Sequence, residues 1–165
     1  KWNPAVKTAQ DRDGLWDALN DDRIDIIATD HAPHTLEEKA QHYTKAPSGG
    51  PMVQHALPVM LECVQRGKIT LEKVVEKMCH NPAILFDIEH RGYIREGYFA
   101  DLVLVDTQQT QTITRDNVLY KCGWSPLEGT TLRGVVTHTI INGDIVYADG
   151  NFVHVPNAKA LTFDR

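Results

Sequence analysis

The first part of the chain contains a helical pattern followed by a short apolar run. Apolar residues recur at helical spacing as far as Asn20, and Thr8 followed by Asp11 predicts a capping box at the start of a helix. The run Ile24–Ala28 is rich in β-branched residues and predicts a strand buried on both faces, as in a parallel sheet. The helical residues that we expect in the core are Leu15, Trp16 and Leu19.

Helical patterns return after a polar segment that extends from residue 35 to residue 50. This segment is long for a loop without regular structure, which favours a functional role, and its run Glu37–Lys39 is expected to be a solvated face. A helix is predicted from Pro51 to Arg66, and another one is predicted to begin after Thr70 and to bury Leu71, Val74, Val75 and Met78. A short helical piece is expected at residues 81–86.

The spacing changes to a β pattern after Gly92. A turn and a strand are predicted up to Asp106, with Asp101 satisfying backbone donors. The dipeptide Asn142–Gly143 lies between two β-rich runs, 135–141 and 144–147, and predicts a hairpin with a type I′ turn. A further strand, Phe152–Val155, is expected after a turn at residues 149–150.

Composition and charge are typical of a globular protein and argue against some classes of partner. The chain has 165 residues, 42% hydrophobic and 24% charged, and its net charge of −5 comes from interspersed residues, which argues against a nucleic-acid partner. No apolar run is long enough to span a membrane, and no signal peptide is expected. The three widely spaced cysteines favour a reducing, cytoplasmic setting, and we expect Cys63 and Cys79 to pack in the core.

Candidate chemistry is concentrated where the run Ile24–Ala28 ends. Asp30, His31 and His34 follow within a few positions, and Pro33 stiffens the segment. Ligands bind at the carboxyl ends of strands in α/β folds, so these side chains favour a metal or acid–base site. The alternative is a simple turn in which Asp30 caps a backbone donor.

Three motifs together resemble one family. Thr29–His34 reads Thr-Asp-His-Ala-Pro-His, and residues 92–102 follow the pattern Gly-x-Ile-x-x-Gly-x-x-Ala-Asp-Leu. Ser125–Gly129 reads Ser-Pro-Leu-Glu-Gly, with Leu127 where the family has phenylalanine. These segments resemble dihydroorotases, which belong to the amidohydrolase superfamily. The relatives that act on other cyclic amides carry a similar Ser-Asp-His but a different residue at the position of His34.

The resemblance implies an α/β fold that is part of a larger one. Residues 1–90 would be the last β/α units of a metal-dependent (β/α)8 TIM barrel with its C-terminal helices, and residues 91–165 would be part of a flanking β-sandwich. A complete barrel needs about 250 residues, so the chain would be the C-terminal portion of such an enzyme. It is then expected to associate with the missing N-terminal half or to form a homo-oligomer.

The resemblance also implies roles for individual residues. Asp30 would be both a metal ligand and the catalytic proton carrier. His31 should point away from Asp30 and support the site without touching the substrate. The residues that would bind the substrate are Asn3, His34, Pro47, Ser48 and Gly49. Asn3 is followed by Pro-Ala-Val-Lys here, whereas the family has Pro-Pro-Leu-Arg at these positions.

The implied reaction is the reversible hydrolysis of L-dihydroorotate to N-carbamoyl-L-aspartate at a binuclear zinc site, in pyrimidine biosynthesis. The other zinc ligands would precede this chain, which alone should be inactive. Two alternatives remain open: a hydantoinase, dihydropyrimidinase or allantoinase on the same scaffold, or a non-catalytic homologue that serves as an assembly partner. His34 and Asn3 favour dihydroorotase, because its substrate carries an extra carboxylate.

Overall fold

The chain has a mixed α/β fold in which helices precede an antiparallel sheet. A computed structural model describes residues 1–153 and 158–164. The helices are α1 (Ala9–Asn20), α2 (Leu36–Lys39), α3 (Ala56–Gln65), α4 (Leu71–Val75) and α5 (Asn81–Leu85). The strands are β1 (Leu102–Thr112), β2 (Thr131–Ile141), β3 (Asp144–Ala148) and β4 (Asn151–Phe152).

Helix α1 begins as its sequence predicts. The Thr8 hydroxyl accepts a hydrogen bond from the Asp11 N–H at 3.1 Å, and the Asp11 carboxylate accepts one from the Thr8 N–H at 2.9 Å. Leu19 is buried in the main apolar cluster, and Trp16 packs against that cluster. The prediction for Leu15 is wrong, because its side chain is 48% exposed. The cluster consists of Leu19, Met60, Ile69 and Val74.

The prediction of a strand at Ile24–Ala28 is wrong, because residues 25–34 form no regular secondary structure. A strand requires a neighbour for its ladder of hydrogen bonds. Here the segment is held instead by the buried Lys77, whose ammonium donates to the Ile24 carbonyl at 2.6 Å. The Ile27 N–H donates to the Lys77 carbonyl at 3.0 Å. The run is extended and only partly buried.

Helix α3 starts later than predicted. A 3₁₀ turn, Val53–His55, precedes it, and Gly67 follows its end with φ +67°. Helix α4 is capped by Thr70, whose hydroxyl accepts from the Lys73 N–H at 3.1 Å. Of the residues expected to be buried in this helix, Val74 is buried, whereas Leu71 and Val75 are exposed. A π-helical turn, Glu76–His80, connects α4 to α5.

The second half forms an antiparallel sheet in the order β1-β2-β3-β4. The hairpin prediction is confirmed: Asn142 and Gly143 connect β2 to β3 with φ values of +51° and +90°. Asp101 accepts a hydrogen bond from the Asn142 N–H at 2.8 Å, which confirms its structural role. The strand expected at Phe152–Val155 begins as β4, and its last residues, His154 and Val155, lie outside the described residues.

Helix α3 joins the two halves of the molecule. It packs against β2, and the Glu62 carboxylate accepts a hydrogen bond from the Arg133 N–H at 2.9 Å. Cys63 lies against the apolar cluster as expected, but Cys79 is exposed, which corrects the prediction for that residue. Among the described residues, no helix is long and apolar enough to cross a lipid bilayer.

Candidate active site

Three segments that carry predicted site residues lie against one another. The Ala32 N–H, in the segment that follows Asp30, donates to the Gly50 carbonyl at 3.1 Å. The Gly49 N–H donates to the Lys1 carbonyl at 3.1 Å. The structure therefore brings together the segment 30–34, the loop 46–50 and the beginning of the chain.

Asp30 is exposed and has φ +45°, a left-handed conformation that aspartate tolerates better than most residues. Within residues 1–153 and 158–164, its carboxylate accepts no hydrogen bond from the protein. The alternative in which Asp30 only caps a backbone donor therefore finds no support in the structure. The carboxylate is accessible to a ligand.

His31 turns its Nδ1 atom towards the backbone. Nδ1 accepts hydrogen bonds from the N–H groups of Met52 at 3.0 Å and Val53 at 3.2 Å. A nitrogen that accepts two such bonds carries no proton, so the neutral ring has its proton on Nε2. His31 thus fixes the start of the 3₁₀ turn before α3 against the segment that contains Asp30.

A buried polar cluster behind His31 was not predicted from the sequence. The rings of Tyr120 and His31 lie with their centroids 5.3 Å apart, and the Tyr120 hydroxyl lies 2.7 Å from His55 Nδ1. Ser125 Oγ lies 3.3 Å from the same nitrogen. The side chain of His55 is 4% exposed. The signal that pointed here was the Ser-Pro-Leu-Glu-Gly motif, which supplies Ser125.

Burial sets the protonation of this cluster. It lowers the pKa of His55, because the charged imidazolium loses its hydration, and it raises the pKa of Tyr120 for the corresponding reason. Both groups are therefore held neutral. A neutral His55 can accept a hydrogen bond from the Tyr120 hydroxyl or donate one to it.

His34 is half-buried and is held by two contacts. Its Nδ1 lies 3.4 Å from Glu38 Oε2, and its carbonyl accepts a hydrogen bond from Trp124 Nε1 at 2.8 Å. Trp124 was not predicted as a site residue, although it immediately precedes the recognised motif.

The loop 46–50 is held by two lysine side chains, of which Lys1 donates from Nζ to the Ala46 carbonyl at 2.9 Å. Lys39 Nζ donates to the carbonyls of Pro47 at 2.8 Å and Gly49 at 2.6 Å. The sequence-based interpretation of Lys39 as part of a solvated face is therefore wrong. In the part of the chain that the structure describes, the N–H groups of Ser48 and Gly50 have no protein acceptor.

Gly50 allows two tryptophan side chains to approach this loop closely. A Cβ atom at Gly50 would lie 3.0 Å from the Trp2 ring and 3.5 Å from the Trp124 ring. The next residue along the chain from Trp2 is Asn3, whose side chain is exposed. Among the described residues, no protein group hydrogen bonds to the Asn3 side chain.

The residues present do not form a metal site by themselves. Among the described residues, no group of three or more His, Cys, Asp or Glu side chains is arranged to hold a metal ion. Catalytic zinc normally has three protein ligands. Asp30 is one carboxylate, and the described residues around it do not supply the other ligands of such a site.

Comparisons with known proteins agree with the motifs. A family model described as the amidohydrolase family matches residues 5–146. The dihydroorotase of Pyrococcus furiosus is 38% identical over 158 residues, which are 96% of this chain and 36% of that protein. The dihydroorotase of Halobacterium salinarum is 41% identical over 162 residues, which are 93% of this chain and 38% of that protein.

The fold of this chain is also similar to that of a solved structure. The L-hydantoinase (dihydropyrimidinase) from Arthrobacter aurescens is 30% identical, with a TM-score of 0.86 over 93% of this chain and 35% of that one. The chain thus spans little more than a third of the length of the relatives described here.

Proposed function

This chain belongs to the amidohydrolase family, and on that premise we propose that it is the C-terminal third of a dihydroorotase. The observation that carries the proposal is the contact between the segment after Asp30 and the loop 46–50, made by the Ala32 N–H and the Gly50 carbonyl at 3.1 Å. This contact joins two segments to which the resemblance assigns catalytic and substrate-binding residues. The identity to two dihydroorotases over most of the chain supports the same reaction.

The proposed reaction is the hydrolysis of the ring amide of L-dihydroorotate to N-carbamoyl-L-aspartate. A bond forms between a water oxygen and the amide carbon, and the carbon–nitrogen bond breaks. Asp30 takes a proton from the attacking water and delivers it to the leaving nitrogen, as a positioned carboxylate can. The exposure of Asp30 and the absence of a protein hydrogen bond to it, among the described residues, support this role.

Substrate binding is proposed for residues around this carboxylate. His34 would bind the carboxylate of the substrate, and the contact of its Nδ1 with Glu38 Oε2 at 3.4 Å orients the ring. Asn3 would hold the pyrimidine ring. Pro47, Ser48 and Gly49 would present backbone groups to the same ligand, and the N–H of Ser48 is the one of these that has no protein acceptor within the described ranges.

We propose that the full-length enzyme is zinc-dependent. A binuclear zinc site would supply a water that ionises near neutral pH and a polarised carbonyl. Asp30 is the ligand that this chain would contribute, and the remaining ligands would precede it. Residues 1–90 would then complete a (β/α)8 barrel, and residues 91–165 would belong to a flanking β-sandwich.

The chain is expected to need a partner, either the missing N-terminal half or another copy of itself. The extended run 24–28 has no strand beside it in the described residues, and an extended segment without a neighbouring strand invites pairing with another chain. A cytoplasmic location fits the three free cysteines. Sizing chromatography of the 165-residue chain tests this expectation, and a monomer that melts cooperatively would contradict it.

The decisive experiment assays the full-length protein with zinc against L-dihydroorotate, hydantoin and allantoin. We expect turnover of L-dihydroorotate, and none from the 165-residue chain alone with zinc. Turnover of hydantoin in preference would support the alternative favoured by the 30% identity to an L-hydantoinase structure. No turnover of any substrate by the zinc-loaded protein would support the non-catalytic assembly partner.

A further inference from the structure

Lys39 lies at the centre of the loops around the candidate site. It is the last residue of α2 and is partly buried. Its ammonium donates to three backbone carbonyls: Gly49 at 2.6 Å, Pro47 at 2.8 Å and Lys1 at 3.3 Å. An ammonium has three donor hydrogens, so these carbonyls use its full capacity.

The carbonyls belong to different segments of the site. Pro47 and Gly49 lie in the loop 46–50, whereas Lys1 lies at the start of the chain, next to the segment that contains Asn3. The Lys1 carbonyl also accepts from the Gly49 N–H at 3.1 Å. Lys39 therefore ties two proposed substrate-binding segments to each other.

Lys39 also ties both segments to the motif that contains Asp30. Helix α2 starts directly after His34, and a capping box between Thr35 and Glu38 fixes its first turn. Glu38 also contacts His34. The ammonium at the end of this short, capped helix therefore links α2 to the loop 46–50.

The pattern of carbonyls explains why a lysine serves here. Three carbonyl oxygens that converge on one point match a tetrahedral ammonium, whereas the donors of a guanidinium lie in one plane. Hydrogen bonds from a charged donor are also stronger than neutral ones. Because Lys39 draws the carbonyls of Pro47 and Gly49 to one side, the loop can turn the N–H groups of Ser48 and Gly50 towards a ligand.

We propose that Lys39 is a positioning residue for substrate binding: its ammonium holds the loop 46–50 and the first residues of the chain in the conformation that receives the substrate. The role of this conformation in substrate binding rests on the proposed function. Lys39 itself does not touch the reacting atoms. Its loss should therefore weaken binding of the substrate more than it slows the chemical step.

The test compares Lys39→Met and Lys39→Arg with the control Lys45→Met in the full-length protein. Methionine keeps the length of the side chain but removes the three donors, and arginine keeps the charge but not the geometry. Lys45 is exposed in the same loop region, and its side chain makes no hydrogen bond or ion pair with another described residue. The control therefore removes a positive charge without removing a hydrogen bond.

Hydrogen exchange measured by mass spectrometry is the first readout, because it needs no activity. We expect Lys39→Met and Lys39→Arg to raise exchange in peptides that cover residues 46–50 while the helix α3 stays protected, and Lys45→Met to change neither. Unchanged exchange at residues 46–50 in Lys39→Met would overturn the proposal. Exchange that rises equally in α3 would also overturn it, since Lys39 would then support the whole fold.

Steady-state kinetics is the second readout. We expect Lys39→Met to raise KM for L-dihydroorotate about tenfold, with kcat changed less than about threefold, and Lys45→Met to leave both unchanged. A fall in kcat at constant KM would overturn the positioning role. If the unaltered protein turns over no L-dihydroorotate, the proposed function fails, while the exchange measurement still decides whether Lys39 holds the loop.

Discussion

Trp124 Nε1 donates a hydrogen bond to the carbonyl of His34 at 2.8 Å, although the two residues are 90 positions apart in the chain. Trp124 precedes the motif that leads into β2, and His34 follows the candidate catalytic aspartate. The bond therefore fastens the sheet-forming half of the chain to the candidate site. The same tryptophan ring lies over Gly50, so one side chain touches two of the site segments.

Trp124→Phe should weaken substrate binding. Phenylalanine keeps an aromatic ring against Gly50 but cannot donate to the His34 carbonyl, and a single hydrogen bond contributes about 0.5–1.5 kcal/mol. We expect KM for L-dihydroorotate to rise about two- to tenfold. Trp16→Phe is the control, because Trp16 packs on the apolar cluster away from these contacts and should affect stability without changing KM. An unchanged KM in Trp124→Phe would contradict the prediction.

Asp30→Asn should remove nearly all activity. The amide has the shape of the carboxylate but cannot take up the proton from water, and such proton transfer contributes about 10²–10⁴-fold to rates. The measurement is kcat of the zinc-loaded full-length protein. Asp25→Asn is a matched control, because Asp25 lies in the extended run just before Asp30 and is also exposed. Equal activity of Asp30→Asn and the unaltered protein would refute the assignment of Asp30.

Gly49→Ala should displace the loop 46–50. Gly49 has φ +92°, and a Cβ atom there would lie 2.7 Å from the Ala32 Cβ, so the loop must move away from the segment that follows Asp30. We expect KM to rise about tenfold at little cost to kcat. Gly97→Ala imposes a similar backbone strain at φ +80° but meets nothing within 4 Å. The two variants therefore separate the effect of the contact from the effect of backbone strain.

Lys77→Met should destabilise the protein more than Lys73→Met. Lys77 is 1% exposed, and its ammonium donates to the Ile24 carbonyl at 2.6 Å, so its removal leaves a carbonyl without that donor. An unsatisfied buried polar group costs about 1–3 kcal/mol. Both lysines also form an ion pair with Asp22. The pair made by Lys73 lies at the surface, where an ion pair contributes little to stability. The midpoints of urea unfolding decide between the two.

His55 should make stability depend on pH below about 6.5, the ordinary pKa of histidine. Burial lowers the pKa of His55 in the folded protein, so in acid the unfolded chain binds a proton that the folded chain does not. The groups that face its Nδ1, Tyr120 and Ser125, are neutral hydroxyls. Stability is then complete above about pH 6.5 and falls as the pH drops towards the lowered pKa, by at most about 1.4 kcal/mol per pH unit for one proton.

The measurement for His55 is urea unfolding between about pH 5 and pH 8, around the ordinary pKa of histidine. His55→Asn removes the titrating group and should flatten the dependence in this range. A slope that is the same in both proteins would assign the effect to another group.

Local sequence patterns determined the elements whose stability is local. The capping box before α1 and the Asn142–Gly143 turn follow from a few adjacent residues, because their hydrogen bonds and positive φ values involve only near neighbours in the chain. The motifs Thr29–His34 and Ser125–Gly129 also identified the family from residues alone. A motif is recognised from the order of its residues, so this step needs no knowledge of which residues are in contact.

The sequence did not determine what happens between distant segments. The run Ile24–Ala28 has the composition of a strand but lacks a neighbour in the described residues, and Lys77 holds it instead. Two contacts join residues that are far apart in the chain. The Tyr120 ring packs near the His31 ring, and Trp124 donates a hydrogen bond to the His34 carbonyl. No spacing rule links such positions, because only packing brings them together.

Lys39 illustrates the same division most clearly. By itself the sequence specified only a charged run, Glu37–Lys39, and the short helix α2 that contains this run is a local structure. Only the tertiary structure decided that the ammonium at its end meets the carbonyls of Lys1, Pro47 and Gly49. Backbone carbonyls are present at every residue, so their convergence on one lysine depends on the path of the chain and leaves no mark in the residue types.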